Sequence, residues 1–277
     1  MGMPPVTTFP TLDPFVMQYK GVQFGVGVGG VEFQEIDGLD LTQPLRSQDN
    51  NKARDHGQWI GYDFLGGRDI TLKFDLQGNT DTEFYNRMQA MATATLPQLN
   101  IEAPLYFNLP GYGTLACMVR ARQRSWKVDQ AWTHYLAQGL QVLFHATDPR
   151  FWSQPETDEY GEVESGGGAQ SVTLVGNFNC NPLIEVTTGS GAQNLSVTIN
   201  GDTIGFQYAH GSSTDIFVDF NNHYAYDAMN SDAPVPVASG TWGTLVPGAN
   251  TISATSLEGT DSYITGMNIT WASAWIL

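Results

Sequence analysis

Five histidines and twenty-eight carboxylates are the groups in this sequence that could move protons or hold a metal. Asp55-His56 is the tightest acid and imidazole pair, but adjacent loop residues before a glycine rarely set a base and its orienter at hydrogen-bonding geometry. His145 and Asp148 flank the end of a predicted strand, and His134 falls inside one, where a hydrogen-bonded structural imidazole is the ordinary role. Glu156, Asp158 and Glu159 could supply the two carboxyls of a glycoside hydrolase, which must face each other across a sugar. They lie instead in a segment read as a linker, where positional control is poor. The stretch from Asp215 to Asp232 offers oxygen ligands for calcium but lacks the spacing of an EF-hand loop. No Gly-x-Ser-x-Gly, His-Glu-x-x-His or Walker pattern occurs. The run Gly25-x-Gly27-x-Gly29-Gly30 shares only its glycines with a dinucleotide fingerprint, since no helix pattern follows it and no βαβ unit surrounds it. The expectation is a non-enzymatic protein with no catalytic residue, no cofactor and no metal site.

Ring faces offer binding chemistry instead. Tyr208, Tyr224, Tyr226 and Trp242 could stack on sugars of a host-surface glycan, although core packing competes for the same rings. Cys117 and Cys180 fall in what read as different domains, so both are expected to be free thiols.

Charge narrows the partners. Thirteen carboxylates follow Arg150, and none of the twelve Lys and Arg do. More than a hundred residues without a cation are a poor surface for phosphate backbones or anionic lipid, so nucleic-acid and membrane binding are not expected. The first residues, MGMPPVTTFPTLDPF, lack a basic segment followed by an apolar core, and no stretch reaches membrane-span length; folding in a cytoplasm is the expectation.

The elements that must carry these residues are mostly strands. Thirty glycines, 12% aromatic residues and a polar remainder of Asn, Gln, Ser and Thr favour short strands and tight turns. Strand signals at 15–20 and 31–36 flank the glycine-rich stretch, and the polar run Thr42 to Gly57 reads as a long loop or arm. Ile70, Leu72, Phe74 and Leu76 alternate with polar residues as in a half-buried strand. One helix follows near 80–96: Thr80 and Glu83 have capping-box spacing, Phe84, Met88, Met91 and Ala92 share a face, and Pro97 marks the stop. Thr114 to Trp126 and Trp132 to Ala146 read as two long neighbouring strands. Residues 1–152 thus form an N-terminal β domain with one helix, 153–169 a linker, and 170–277 a C-terminal β-sandwich of regularly spaced short strands. Between two of these, Asn200-Gly201 is a hairpin signal, because both residues tolerate positive φ.

Particular segments then point to a family. Ile36-Asp37-Gly38-Leu39, Asp55-His56-Gly57 and Phe64-Leu65-Gly66-Gly67-Arg68-Asp69-Ile70-Thr71-Leu72 look like the N-terminal domain of siphophage distal tail proteins. Ala146-Thr147-Asp148-Pro149-Arg150-Phe151 resembles the junction at the end of that domain, and Leu245-Val246-Pro247-Gly248-Ala249-Asn250-Thr251-Ile252 is similar to a turn and strand late in its C-terminal sandwich. The resemblance implies a mainly β protein of two parts, a sandwich or barrel-like ring-forming domain and a galectin-like sandwich. It further implies a homohexameric ring in the virion tail tip, between the tail tube and the tail-tip hub, in contact with tube, tape measure and hub proteins, through which DNA passes unbound. Asp37, Gly38, Asp55, His56, Gly57, Gly66, Gly67, Arg68, Asp148 and Pro149 would be its structural positions. Arg68 is expected to pair with Asp37 or Asp55, or else to be an ordinary surface charge.

Overall fold

The computed structural model describes residues 8–25, 28–40, 45–52, 56, 58–61, 63–97, 100–160, 169–189, 194–207, 214–228, 233–256 and 264–277. The described residues form two compact units, Phe9–Phe151 together with Ile276–Leu277, and Thr8 together with Trp152–Trp275. Among the described residues, no helix is long and apolar enough to cross a membrane.

The first unit contains β1 (Val16–Tyr19), β2 (Val22–Gly25), β3 (Val31–Asp37), β4 (Leu45–Ser47), β5 (Asn50–Asn51), β6 (Gln58–Trp59), β7 (Asp63–Leu65), β8 (Arg68–Gln77), α1 (Asp81–Ala94), β9 (Ala103–Leu109), β10 (Gly113–Ser125) and β11 (Leu136–Ala146). Seven of these strands follow one antiparallel path, β2-β1-β9-β10-β11-β8-β3. The expected alternation in β8 is strict, with Ile70, Leu72, Phe74 and Leu76 fully buried. β11 answers with Leu140, Val142, Phe144 and Ala146, and β10 with Leu115, Cys117, Val119 and Ala121. A bulge between Ala121 and Gln123 breaks the register of the long β10, which ladders with β9 at one end and β11 at the other. Such a bulge bends a strand and raises its twist, letting the two halves of the path face each other. Their rings interlock edge to face, Tyr19 against Phe144 at 4.9 Å and Phe24 against Phe74 at 5.3 Å.

The helix begins where its cap is. Thr80 accepts a hydrogen bond from the Glu83 N–H at 3.2 Å, and the Glu83 carboxylate accepts from the Asn79 N–H at 2.9 Å. Phe84, Met88, Met91 and Ala94 form its buried face, so the fourth core position is Ala94 and not Ala92. The second long strand is shorter than expected. Gln130–His134 is a 3-10 turn, capped by Asp129 accepting from the Ala131 N–H at 2.9 Å and closed by Tyr135 at φ 58°. His134 therefore lies in that turn and not in a strand interior.

The second unit takes over within β12 (Phe151–Ser153). It continues with β13 (Glu156–Tyr160), β14 (Gln170–Leu174), β15 (Leu183–Thr188), β16 (Leu195–Ile199), β17 (Asp202–Phe206), β18 (Thr214–Asp219), β19 (Tyr224–Asp227), β20 (Ala233–Pro234), β21 (Val237–Gly240), β22 (Gly248–Ser256), β23 (Ile264–Trp271) and β24 (Ala274–Trp275). A six-stranded sheet β13-β23-β15-β18-β19-β20 packs on a five-stranded sheet β14-β22-β16-β17-β21. Ile184, Val186, Ile216, Val218 and Ile269 from one meet Val197, Ile199, Ile204, Phe206 and Ile252 from the other. Asn200 and Gly201 have φ of 52° and 96° between β16 and β17, as a type I′ hairpin turn requires. Part of the segment read as a linker is structured: Glu156–Tyr160 pairs with β23 as an edge strand. That strand carries no apolar alternation, which is why its sequence reads as a spacer.

Candidate functional site

Three segments far apart in sequence meet at one buried point of the first unit. Asp37 turns back on its own chain, its carboxylate accepting from the Gly38 N–H at 2.8 Å. Gly38 sits at φ 85°, and a Cβ there would lie 2.0 Å from the Asp69 carbonyl oxygen. This turn aims the Gly38 and Leu39 carbonyls at Arg68, whose Nη1 donates to them at 3.2 and 2.5 Å. The guanidinium is fully buried, and its carbon lies 4.3 Å from the centre of the Phe151 ring. Phe151 is braced edge to face by Phe107 at 5.0 Å. Arg68 is thus neither a surface charge nor the partner of Asp37. Its hydrogen bonds go to main-chain carbonyls because the Gly38 turn leaves those groups pointing inward. Asp55 and Gly57 lie outside the described residues. His56 is exposed.

Burial lowers the Arg68 pKa from its ordinary value, opposed by Cys117 and Asp40. Burial likewise pushes the Cys117 thiol far up, opposed in part by Arg68. Such a thiol stays protonated and unreactive. Asp148 and Arg150 close the knot from the junction side: Asp148 accepts from the Arg150 N–H at 3.0 Å and from Nε and Nη2 at 2.9 and 2.6 Å. Pro149, between them, is buried. Gly67 lets the strands approach closely, since a Cβ there would lie 2.8 Å from the Ala146 oxygen. His145 pairs with Asp69 at 2.6 Å and not with Asp148. The arrangement is a structural fastening, and it presents no base aimed at a nucleophile. Among the described residues, no three His, Cys, Asp or Glu side chains gather as metal ligands would.

Two surface features of the same unit stand out. The first is the arm. It is longer than the polar run Thr42 to Gly57, because its return limb reaches Leu65. β4 pairs with β7 and β5 with β6 as two small ladders off the main sheet. Asp49 accepts from the Gly61 N–H at 2.8 Å, and Lys52 lies 5.0 Å from the centre of the Trp59 ring. Trp59, Ile60 and Phe64 are 67%, 96% and 46% exposed, an unusual run of apolar surface on an otherwise polar hairpin. The second is an apolar cleft of about 160 Å³, walled by Phe15, Met17 and Phe107 on one side and Phe33, Ile36 and Leu39 on the other. Phe15 is half exposed and held at φ 61°, a conformation costly for a bulky residue. Its N–H donates to the Asn108 oxygen at 2.9 Å, and Asn108 Nδ2 donates to the Leu12 oxygen at 2.6 Å, which locks the turn.

The aromatic residues of the second unit divide. Trp242 packs edge to face on Phe206 and Phe220 at 5.8 and 5.2 Å and is covered by His223 at 5.1 Å, so it is a partly buried ring packed against the core. Tyr226 stacks on Phe217 at 5.1 Å and on Tyr224 at 5.8 Å, on the sheet face opposite the core. Tyr208 lies outside the described residues. Glu156, Asp158 and Glu159 follow one another along the edge strand β13.

No protein-family model matches the sequence, and no curated protein is similar to it by sequence. The structure has the fold of the SPP1 Dit (gp 19.1) protein, a hub adsorption apparatus protein of phages infecting Gram-positive bacteria. The similarity covers 95% of this chain and 99% of that one, with a TM-score of 0.70 and 15% identity. Two structures of the phage P2 baseplate in its activated conformation, with Ca and with Sr, match at a TM-score of 0.48 and 10% identity, over 91% and 92% of this chain and 93% and 97% of theirs.

Proposed function

We propose that this chain is a structural, non-enzymatic component of the tip of a long non-contractile phage tail. It assembles with copies of itself into a ring that joins the tail tube to the tail-tip hub and lets DNA pass. The observation that carries this reading is the shared fold with the SPP1 Dit protein across both units and nearly the full length of both chains. The surface agrees in kind. An off-sheet arm with exposed apolar residues is made to touch another chain, and a C-terminal unit without cations would not hold DNA in passing. The six-fold symmetry, the tape measure contact and the galectin-like character of the second sandwich rest on the resemblance to distal tail proteins. Light scattering of the purified chain across a concentration series tests the reading, with the mass of a closed oligomer, six chains, as the expected result. A monomer at every concentration would remove self-assembly as a property of the isolated chain.

A second reading, attachment to a host-surface glycan, is favoured by the Phe217, Tyr226 and Tyr224 row on the open sheet face. Trp242 takes no part in it. Titration of purified host cell-wall polysaccharide onto wild type and Tyr224→Ala tests it, with weakened binding by the variant expected.

A further inference from the structure

The main sheet of the first unit ends in opposite charges. The ladder of β10 with β9 stops at Val119, and Arg120–Ser125 pair with β11 instead. From there the strands run β10-β11-β8-β3, so the end of β10 and the terminal strand β3 are two edges of one stretch, about 14 Å apart at the usual strand spacing. Both edges are bulged, with Arg122 as the extra residue of β10 and Gln34 as that of β3. The β10 edge is basic. Residues 103–128 contain no carboxylate, and Arg122, Arg124 and Lys127 are exposed. Asp129 approaches Lys127 at 3.6 Å, and Arg124 donates to the Ala92 carbonyl at 2.8 Å, which leaves its charge in place. Three exposed cations less one carboxylate leave +2. The β3 edge is acidic. Glu32, Glu35, Asp37 and Asp40 are exposed, and residues 31–40 contain no cation. Lys73 pairs with Glu35 at 2.6 Å, and the buried Arg68 reaches the Gly38 and Leu39 carbonyls. Four carboxylates less two cations leave −2.

Charged, bulged edges keep sheets from pairing at random, but that protection asks for no particular sign. Here the signs differ. Two β10 edges repel, two β3 edges repel, and a β10 edge attracts a β3 edge, so the pattern disfavours a two-fold contact through either edge and favours a head-to-tail one. We infer that the β10 edge of one copy docks beside the β3 edge of the next, with Arg122 and Lys127 facing the Glu32, Glu35 and Asp37 side of β3. The contact deepens the ring reading and rests on it. Its two surfaces lie on different edges of one chain, so both are occupied at once, and repetition closes into a ring when the rotation per step permits.

The test uses the full chain and light scattering across a concentration series. Arg122→Glu/Lys127→Glu makes the β10 edge acidic, and Glu32→Lys/Glu35→Lys makes the β3 edge basic; all four residues are exposed. Each variant alone should raise the midpoint concentration of assembly by on the order of tenfold or more. Net charge by itself predicts the opposite for the second variant, which moves the chain from −16 by four units to −12. An equimolar mixture of the two should assemble near the wild-type midpoint, because alternating chains restore opposite signs at every contact. The wild-type midpoint should also rise about tenfold from low to high salt, whereas relief of self-repulsion would lower it. That salt series decides the matter even where a variant melts early. Variants that assemble as wild type does, a mixture that does not recover, or a midpoint that does not rise with salt overturn the edge contact and leave self-assembly standing. A wild type that is monomeric at every concentration overturns both. Retardation of duplex DNA by wild type and not by Arg122→Glu/Lys127→Glu would give the β10 edge to a phosphate backbone and overturn the edge contact.

Discussion

Arg68 lies with its guanidinium carbon 4.3 Å from the centre of the Phe151 ring, fully buried, and donates to the carbonyls of Gly38 and Leu39. One side chain thereby fastens the start of β8 to the turn after β3 and to Phe151 at the start of β12. Its Nε and Nη2 find no hydrogen-bond partner among the described residues, so the burial is not fully compensated. Two substitutions should separate the contributions. Arg68→Ala leaves two inward carbonyls unpaired and a cavity, and should cost about 3 kcal/mol or more. Arg68→Met keeps the volume and removes the buried charge, so it should cost clearly less. Urea denaturation followed on the N-terminal unit reads both, and equal losses would mean that hydrogen bonding and packing have been apportioned wrongly.

Gly38 is a sharper probe of the same knot. Gly38→Ala meets two penalties, a φ of 85° and a Cβ placed 2.0 Å from the Asp69 oxygen. Gly201→Ala, at φ 96° in the β16 to β17 turn, meets only the first, because nothing lies within 4 Å. The turn variant should lose about 1 kcal/mol. Gly38→Ala should lose markedly more and should also disturb the Arg68 bonds, visible as lost hydrogen-exchange protection at the β3 and β8 pairing.

Much of the fold is legible in the residues that alternate or cap. β8 follows from Ile70, Leu72, Phe74 and Leu76, α1 from Thr80 and Glu83, and the second sandwich from short apolar strands around Asn200-Gly201. The rest is hidden for physical reasons. The acidic strand β13 carries no apolar alternation, and the described residues of the arm's return limb have no buried face, so neither shows a period of two. Trp132 and His134 look strand-like until the Asp129 cap and the left-handed Tyr135 turn them into a 3-10 segment. Arg68 is the instructive case. A lone cation beside Gly66-Gly67 reads as half of an ion pair with Asp37 or Asp55, or as a surface charge, because its actual partners are carbonyls and a ring whose composition says nothing about contact. The signal available was Gly67, which permits the close approach to Ala146 beside the buried Arg68.

Trp242 and Tyr224 should respond oppositely to truncation. Trp242→Ala removes a ring packed on Phe206 and Phe220 and should lose about 3 kcal/mol, with a lower melting temperature. Tyr224→Ala removes a ring that is 41% exposed on the open face and should lose less than about 1 kcal/mol. Circular dichroism melts of the two variants check the order, and a reversed order would mean that Trp242 contributes little to the packing of that sandwich.

The start of α1 should be pH-sensitive. The Asn79 N–H holds the Glu83 carboxyl below its ordinary range, with burial opposing and Arg87 adding to the shift. A carboxylate lowered in the folded state stabilises above its unfolded value, about 4.3 for Glu, and that contribution disappears as pH falls through the folded value. Glu83→Gln should therefore melt below wild type at pH 7, and the gap should close in acid. A gap that persists below both values would assign the effect of Glu83 to hydrogen bonding independent of charge.

Both cysteines should be silent in the native protein. Cys117 is fully buried in β10, where burial pushes its thiol up, and Cys180 is buried in the sandwich core. Only the thiolate reacts with disulfide reagents, so labelling requires both access and deprotonation, and each core denies the first. Addition of an aromatic disulfide reagent to the native chain should release no chromophore over minutes, and addition in denaturant should release two equivalents. One equivalent released natively would identify a unit that opens locally, and comparison with Cys117→Ser would say which. Rapid reaction at Cys117 would be the more consequential result, because that thiol sits beside Arg68, and its exposure would mean that the fastening among Gly38, Arg68 and Phe151 opens in the folded protein.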